Sequence, residues 1–282
     1  MPANVGLMVF ATEDTLPLLD LAKQAERLGF ESLWLPEHPV IPVQFTSEFP
    51  GKGSLPEYYK HMLDPFVALA AVAGATRTLR LGTAISLVAE HDPKVLAKAV
   101  ATLDLLSQGR FHFGIGSGWL KEEAEVMGVD FKRRWTQTRE HVLAMKALWT
   151  EPESHFDGTY VKFPPVWSYP KPVQRPHPPI LIGGELEKAA ERIAEYGDGW
   201  LPRYIMADPS GIEAGRQRIA ARMRERGRNP DRLDVTLFGC KPDREIMRRF
   251  HDAGVTRILF VLMPEAPDAA VRRLEDLAER VL

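Results

Sequence analysis

Residues 79–123 read LRLGTAISLVAEHDPKVLAKAVATLDLLSQGRFHFGIGSGWLKEE. The pattern predicts a strand over Leu79–Ala84, a helix over Lys94–Ser107 and a second strand over Arg110–Ile115, followed by a turn that opens another helix. Short strands that alternate with helices are typical of parallel βαβ units. This stretch therefore predicts an α/β fold built on a parallel sheet.

The two strands of this stretch both end in small residues. The first ends in Gly82-Thr83-Ala84-Ile85-Ser86, and the second ends in Gly114-Ile-Gly-Ser-Gly118. Because Gly116, Ser117 and Gly118 carry little or no side chain, a flat ligand could approach the backbone there. Parallel barrels build their active sites just past the carboxyl ends of their strands. The sequence therefore predicts a binding site at these two turns.

The same alternation continues through the rest of the chain. Further strands, each followed by a helix, are predicted at Val5–Ala11, Ser32–Leu35, Ile180–Ile182, Gly199–Pro202, Leu233–Phe238 and Thr256–Leu262. Eight strand–helix units are the pattern of a (β/α)8 TIM barrel, for which roughly 250 residues are typical. We therefore expect residues 1–282 to form a single barrel, with irregular excursions after the second strand and before the fifth.

The composition excludes several classes of protein. The chain has 45% hydrophobic and 26% charged residues, a net charge of -2 and one cysteine, Cys240. A globule of this kind buries a full core, has no basic face for nucleic acid, and forms neither an internal disulfide nor a cysteine-based zinc cluster. No signal-peptide pattern opens the chain, and no apolar run reaches the roughly 20 residues of a membrane span. We therefore expect a cytoplasmic protein that contacts neither membrane nor nucleic acid.

The excursion over Pro39–Met62 is rich in proline, glycine and aromatic residues. Loops this long in a compact domain are usually functional or disordered. It leaves the carboxyl end of a strand and can lie over the pocket, where it would offer four aromatic contacts to an apolar substrate: Phe45, Phe49, Tyr58 and Tyr59. A surface loop held by its own aromatic residues explains the same pattern equally well.

A second glycine pair marks an anion site. Gly183-Gly184 lies between a predicted strand and a helix over Leu186–Tyr196. The first N–H groups of a helix have no internal partner, the helix dipole favours negative charge, and a double glycine lets a phosphate come close. Its place late in the chain matches the phosphate sites of barrels. Glu185 is an objection, since its carboxylate would repel an anion unless it points away.

Two histidines are candidates for chemistry, and a third is expected in the core. His38 follows the second strand and could act as a general acid or hold a ring by hydrogen bonding, although a loop histidine is more often structural or exposed. His91 could face the same pocket, and His112 is expected to be a hydrogen-bonded core residue. Cys240 follows the seventh strand, where it either lines the pocket or acts as a small apolar filler. No metal-binding helix pair or nucleophile elbow is present in the sequence.

These pieces together resemble the bacterial luciferase-like oxidoreductases. The matching segments cover nearly the whole chain and are listed here: Glu37-His38, Gly82-Thr83, Leu103-Asp104-Leu-Leu-Ser107-Gln-Gly109-Arg110, Gly114-Ile-Gly-Ser-Gly118-Trp119, Pro178-Pro-Ile-Leu-Ile-Gly-Gly184 and Asp198-Gly-Trp200. The Leu-Asp run together with the glycine turn is specific, whereas each piece alone is not. The resemblance implies a (β/α)8 barrel that uses FMN or the deazaflavin coenzyme F420, and the spacing around Glu37-His38 is most similar to the F420-dependent branch.

The resemblance also implies roles for particular residues. A non-proline cis peptide at Ala84-Ile85 would lie behind the cofactor ring, while Glu37 and His38 would contact its polar edge and the reacting centre. The remaining cofactor-binding positions are Ser117, Gly118 and Glu122 for the tail and Gly183, Gly184, Leu186 and Glu187 for the phosphate. A homodimer is expected from the resemblance alone.

Two departures from the F420-dependent branch affect the choice of substrate. Trp119 occupies the position at which the sugar-phosphate dehydrogenases of that branch carry a catalytic glutamate, so glucose 6-phosphate is a poor candidate. Glu37 replaces the aspartate that often precedes the histidine. The connection Gly239–Asp243 is also short where many relatives carry a long insertion, which predicts a more open pocket.

The preferred interpretation is an F420-dependent oxidoreductase that transfers hydride between the deazaflavin and an unidentified organic molecule, with His38 as the proton donor or acceptor. The first alternative is an FMN-dependent monooxygenase that receives reduced flavin from a separate reductase and activates oxygen. The second is a cofactor-free sugar-phosphate lyase or isomerase, for which Lys121 and Lys241 are the nearest candidate bases and neither lies within a strand.

Overall fold

Residues 4–51 and 53–282 are described by a computed structural model. The predicted strands are present with small changes in length. The strands are β1 (Asn4–Val9), β2 (Ser32–Leu35), β3 (Arg80–Thr83), β4 (Ser86–Leu87), β5 (Phe111–Gly116), β6 (Ser154–Asp157), β7 (Lys162–Val166), β8 (Ile180–Gly183), β9 (Gly199–Leu201), β10 (Asp234–Phe238) and β11 (Arg257–Leu262).

The strands close into a parallel barrel. Their order around it is β3-β2-β1-β11-β10-β9-β8-β5, and the pairing of β3 with β5 joins the two ends. The two-residue strand β4 continues the line of β3 beyond a cis peptide bond between Ala84 and Ile85, and it pairs with the last residues of β5. The structure thus confirms the predicted (β/α)8 architecture and contains the non-proline cis bond that the family resemblance implied.

Helices connect successive barrel strands and cover the outside of the barrel. They are α1 (Leu18–Leu28), α2 (Pro65–Ala75), α3 (Pro93–Leu106), α4 (Lys121–Val126), α5 (Arg134–Thr150), α6 (Leu186–Tyr196), α7 (Pro209–Glu225), α8 (Arg244–Asp252) and α9 (Pro267–Val281). In the described part of the chain, each of these helices is too short or too polar to cross a lipid bilayer. The short connection between β10 and α8 is as predicted.

The excursion before the fifth barrel strand contains an antiparallel hairpin that the sequence did not reveal. Strands β6 and β7 pair with each other and form a small sheet separate from the barrel. The carboxylate of Glu140 on α5 accepts hydrogen bonds from the backbone N–H groups of Thr159, Tyr160 and Val161 in the turn between them. This contact holds the hairpin against the outside of α5.

The barrel interior is closed at the amino-terminal ends of its strands. Arg257 lies on β11, is 3% exposed, and pairs with Glu31 and Asp234 at 2.8 and 2.9 Å. His112 on β5 is buried beside this cluster, with Nε2 3.4 Å from Nη1 of Arg80. Burial and the Arg257 charge lower the pKa of His112 to about 3, so it is a neutral core residue, as expected. This layer of side chains fills the barrel at the amino-terminal ends of its strands, so an open site can form only at the carboxyl ends.

Candidate active site

The two glycine turns lie side by side at the carboxyl end of the barrel. Strand β5 pairs directly with β8, with Ile115 beside Ile182, so the turns after these strands are neighbours. Ile85, which follows the cis bond, contacts both of them. A methyl group placed on Gly116 would lie 2.5 Å from the Ile85 side chain, and one placed on Gly183 would lie 3.2 Å from it. Ile85 therefore bridges the two turns.

These contacts change the physical reason for the glycine at position 116. The sequence suggested that Gly116 leaves room for a flat ligand, whereas the structure fills that space with Ile85. Gly82 is required for a similar reason, because a methyl group placed on it would lie 2.2 Å from the buried ring of Trp34. In both places glycine makes room for a large neighbouring side chain inside a closely packed barrel. The partly exposed face of Ile85 is then the apolar surface offered to a ring.

The turn after β8 is open. Gly184 has a φ of 111°, which is the left-handed region that favours glycine, and a methyl group placed on it would meet no atom within 4 Å. Helix α6 begins at Leu186, and Glu185 before it is exposed and makes no capping hydrogen bond. The first N–H groups of α6 thus remain available to an anion. The carboxylate of Glu187 pairs with Arg218 on α7, and this pair lies on the surface with the Glu187 side chain 71% exposed.

His38 is held between two residues of the segment that follows β5. Its Nδ1 lies 2.6 Å from Oε2 of Glu123, which is fully buried, and the indole N–H of Trp119 donates to its Nε2 at 3.3 Å. An indole N–H is only a donor, so Nε2 is unprotonated and the ring proton is on Nδ1, where it is donated to the carboxylate. A neutral histidine oriented by a buried carboxylate is the arrangement of a general base.

Glu37 lies next to His38 but points elsewhere. Its buried carboxylate accepts hydrogen bonds from the Ser86 hydroxyl and the Leu87 N–H, both at 2.7 Å, and contacts Nε2 of His91 at 2.8 Å. Burial lowers the pKa of His91, but the Glu37 carboxylate outweighs it, so the pKa lies above its ordinary value. Glu37 therefore fixes the segment behind Ile85, and three of its hydrogen-bonding positions are already used by the protein.

Glu122 is turned away from His38 and holds the long loop after β2. Its carboxylate accepts hydrogen bonds from the backbone and hydroxyl of Thr46, at 2.7 and 2.9 Å, and from the hydroxyl of Ser47 at 2.7 Å. The Ser47 and Thr46 hydrogen bonds lower the pKa of Glu122 to about 2. To contact a cofactor tail as well, Glu122 would have to keep these hydrogen bonds and accept a further one.

Aromatic side chains cover the mouth of the barrel above His38. Tyr59 lies 5.3 Å from the His38 ring, and Phe49 lies edge-on to both Tyr59 and Trp119 at 5.4 and 5.6 Å. Phe45 contacts Trp119, and Tyr58 stacks on Tyr59. The four loop aromatics named from the sequence thus pack on one another and beside His38, as expected for a loop held by its own aromatic residues. Their contact with a substrate stays a prediction.

Cys240 does not belong to this site. It is buried and lines a cavity of about 180 Å³ together with residues of β11 and α9, including Leu262 and Arg273. Burial raises the pKa of its thiol to about 12. Its role as a small filler, rather than as part of the pocket, fits this position.

Sequence reasoning missed Glu123, which makes the closest contact with His38. The signal was available in the helical periodicity of α4. Ala124 is buried within α4, and at 3.6 residues per turn Glu123 lies about 100° from it around the helix, whereas Glu122 lies about 200° away. This places Glu123, and not Glu122, toward the barrel. Glu90, a second buried carboxyl group near this pair, was also missed, because an acidic residue in a loop gives no sequence signal of burial.

Comparison with known proteins identifies the family. The model of the luciferase-like monooxygenase family matches residues 3–241. The chain belongs to the luciferase-like monooxygenase family. A relative of uncharacterised function, Rv0953c from Mycobacterium tuberculosis, is 40% identical over 284 residues, which cover 99% of this chain and 98% of that protein.

Solved structures of this luciferase-like fold agree with the barrel described above. The monooxygenase RslO1 from Streptomyces bottropensis has a TM-score of 0.76 at 23% identity, covering 99% of this chain and 98% of its own. An F420-dependent secondary alcohol dehydrogenase in complex with an F420–acetone adduct has a TM-score of 0.75 at 20% identity, with full coverage of both chains. The family is one of oxidoreductases, and this luciferase-like chain is assigned to that class of enzyme.

Proposed function

We propose that this protein is a coenzyme F420-dependent oxidoreductase that transfers hydride between the deazaflavin and a small organic substrate carrying a hydroxyl or carbonyl group. The observation that carries the proposal is the Glu123–His38 pair. It lies among the strand ends that also hold the Ile85 bulge and the open turn at Gly184. This end of the barrel thus offers a proton-transfer group to the substrate, an apolar surface to a planar ring and an anion site to a phosphate.

The residues present fit such a cofactor. The uncapped start of α6 and the empty space at Gly184 would receive its phosphate. The exposed face of Ile85, supported from behind by the Glu37 contacts, would lie against its ring. Ser117 and Gly118 would contact its tail. When bound, the deazaflavin supplies a carbon that accepts or releases hydride.

The protein's own residues then move one proton. In the oxidation of an alcohol, Nε2 of His38 accepts the hydroxyl proton after the substrate takes the place of the Trp119 N–H. Glu123 stabilises the imidazolium that forms and keeps the ring in the orientation that exposes Nε2. In the opposite direction the same imidazolium donates its proton to a carbonyl oxygen. Trp119 remains within reach of that oxygen as a hydrogen-bond donor, but an indole N–H does not transfer a proton at neutral pH.

FMN-dependent monooxygenation, with reduced flavin supplied by a separate reductase, is the second candidate. Two observations favour it: the description of the family model as monooxygenase and the likeness to RslO1. The aromatic cover over His38 would exclude water from an oxygen-activating pocket. Support for F420 comes from the Glu37-His38 spacing and from the likeness to the alcohol dehydrogenase, whose chain is matched over its full length.

A cofactor-free lyase or isomerase has weaker support. The His38–Glu123 pair could serve such a barrel as acid and base, but a lyase that forms a covalent intermediate also needs a lysine buried at the strand ends. Lys121 is half exposed and pairs with Glu125 at 3.4 Å on the surface of α4, and Lys241 is exposed after β10. Neither lysine lies beside His38.

Replacing Gly184 by aspartate is expected to weaken the binding of F420 by roughly 10²-fold. The substitution places a negative charge in the anion cradle and a side chain on left-handed backbone. Fluorescence titration of F420 measures the change in Kd. The matched control is Gly227→Asp after α7, because Gly227 also has positive φ and open space around it. If both variants bound F420 equally well, the phosphate would not lie at Gly184.

We further propose that two copies of the protein form a homodimer through the outer faces of α2 and α3. These helices expose Val67 and Val95, which are 73% and 68% exposed. The exposed positions Ala71 and Gly74 on α2 are small and would allow a partner helix to come close. A self-complementary face of this kind is typical of a two-fold dimer.

Val67→Glu is therefore expected to convert a dimer into a monomer, because it buries an unpaired charge in the contact. Light scattering after size-exclusion chromatography measures the mass. Val43→Glu is the matched control, since Val43 is 99% exposed on the loop after β2. A Val67→Glu protein that kept the mass of a dimer would place the interface elsewhere.

A further inference from the structure

Glu90 is a buried acid that the proposed reaction does not use. It ends the short 3-10 turn Val88–Glu90 between β4 and α3, and the residue is 7% exposed. Both of its carboxyl oxygens are inaccessible to solvent, and neither has a hydrogen-bond partner among the described residues. Natural proteins rarely leave such a group unpaired, so it calls for an explanation.

The surroundings of Glu90 are acidic. Together with burial, the negative charges of Glu123, from α4, and of Glu37, from the end of β2, raise the pKa of Glu90. Oε1 of Glu90 would lie 3.5 Å from a methyl group placed on Gly118, so the acid reaches the glycine turn itself. Glu123 has its own unpaired buried oxygen, Oε1.

Among residues 4–51 and 53–282, the other elements around the turn supply no cation that pairs with Glu90. Helix α5 contacts it through His141 and Gln137, which bond to the backbone carbonyls of Val88 and Ala89. Burial lowers the pKa of His141, which favours its neutral form. At the start of α3, the Asp92 carboxylate is already paired with Lys94. Two other histidines lie near the turn, and both already pair with another carboxylate: His38 with Glu123 and His91 with Glu37.

Three buried carboxyl groups thus share two imidazole partners. An ionised carboxylate without a partner is costly to bury, and a group in that position takes up a proton instead. We propose that Glu90 is a carboxylic acid at neutral pH and a positioning residue for the site, because by holding the proton of the cluster it leaves Glu123 ionised for His38 and Glu37 ionised for His91. The role toward His38 rests on the proposed function, whereas the protonation of Glu90 stands independently of it.

The electrostatics of the cluster agree with this assignment. Burial, followed by the charges of Glu123 and Glu37, raises the pKa of Glu90 to about 9. Burial also raises the pKa of Glu123, although its bond to His38 opposes the change. Of these two acids, Glu90 is the one without a histidine, so it is the one that keeps its proton.

Infrared spectroscopy of the cofactor-free protein tests the protonation directly. A protonated carboxyl group has a carbonyl stretch separate from the amide bands and from ionised carboxylates. We expect this band in the unsubstituted protein at pH 7, its loss as the pH rises through about 9, and its absence in Glu90→Gln at pH 7. A spectrum without the band at pH 7 would overturn the proposal. So would a band that keeps its full intensity in Glu90→Gln, because the proton would then belong to another group.

Thermal unfolding gives a second readout that also needs no cofactor. The pKa of Glu90 is raised in the folded protein to about 9 from an ordinary value of 4.5. Between these pH values the unfolded chain releases a proton that the folded protein keeps, so stability falls as the pH rises. Glutamine removes this loss, and the Tm of Glu90→Gln relative to the unsubstituted protein should rise by about 4 °C or more between pH 5 and pH 8. A difference that stayed constant would contradict the proposal.

The pH dependence of turnover tests whether Glu90 is protonated in the working enzyme. Because glutamine is neutral like the protonated acid, the pH at which Glu90→Gln gains activity should lie within about half a unit of that of the unsubstituted enzyme. An ionised Glu90 would instead make this variant lose a negative charge beside Glu123 and shift its profile by a unit or more, as expected for a nearby like charge. If Glu90→Gln folds poorly, Glu90→Met offers a similar volume without charge, and the infrared spectrum of the unsubstituted protein still decides the question. A protein that shows the band but turns over no substrate would retain the protonated Glu90 and refute only the proposed function.

Discussion

His38→Ala is expected to lower kcat by roughly 10²–10⁴-fold, which is the usual contribution of a general acid or base. The alanine removes Nε2, the atom proposed to accept the substrate proton, while the barrel and the turn at Gly184 remain in place. Under the proposed function, oxidation of a simple alcohol such as propan-2-ol by F420, followed through the loss of deazaflavin absorbance, measures kcat. The Kd of F420 should change much less than kcat.

The matched control for this substitution is His61→Ala. His61 is also paired with a glutamate, through Nδ1 and Glu13 at 2.7 Å, but the pair is exposed on the surface of the loop. Its removal should leave kcat within about twofold, as most surface substitutions do. A His38→Ala enzyme that kept more than a third of the original turnover would show that His38 does not move the proton.

Glu123→Gln is expected to lower kcat by about 10²-fold or more with little change in the Kd of F420. An amide has no charge to stabilise the imidazolium, and it can present its NH₂ group to Nδ1 and so favour the wrong tautomer of the ring. The variant keeps the volume of the buried side chain, which limits the effect on folding. Single-turnover reduction of F420 by the same alcohol separates the chemical step from binding.

The neighbouring glutamate gives an informative contrast. Glu122→Gln weakens the hydrogen bonds to Thr46 and Ser47 and loosens the loop over the pocket. Its effect should therefore fall on the Kd of cofactor and on KM, by about tenfold, rather than on kcat. If Glu122→Gln reduced kcat more than Glu123→Gln did, the support of His38 by Glu123 would not be what drives the chemical step.

The barrel could be predicted from the sequence because its signals are local. Most of the parallel strands are short runs rich in apolar residues, and each barrel strand is followed along the chain by a helix. The hairpin β6–β7 escaped prediction because it is stabilised by a distant carboxylate, Glu140 on α5, and carries two prolines, Pro164 and Pro165, that argue against a strand. A contact between residues far apart in sequence leaves no mark in either segment alone.

The site was only partly predictable for the same reason. His38 and the glycine pair at 183–184 could be identified from their positions after strands. The partner of His38 could not, because the pairing spans 85 positions along the chain and because two adjacent glutamates offered the same chemistry. The function of Gly116 was also misread, since only the folded structure shows that Ile85 fills the space beside it.

The most direct test is a titration of the purified apoprotein with F420 and, separately, with FMN, followed by absorbance and fluorescence. If two neighbouring turns hold one phosphorylated ring, F420 should give a saturable spectral change. Its Kd should be in the micromolar range or lower and at least about tenfold tighter than the Kd for FMN. In Gly184→Asp this spectral change should be lost. Tight binding of FMN with oxygen consumption would instead establish the monooxygenase, and the absence of binding by either molecule would contradict a cofactor site at these turns.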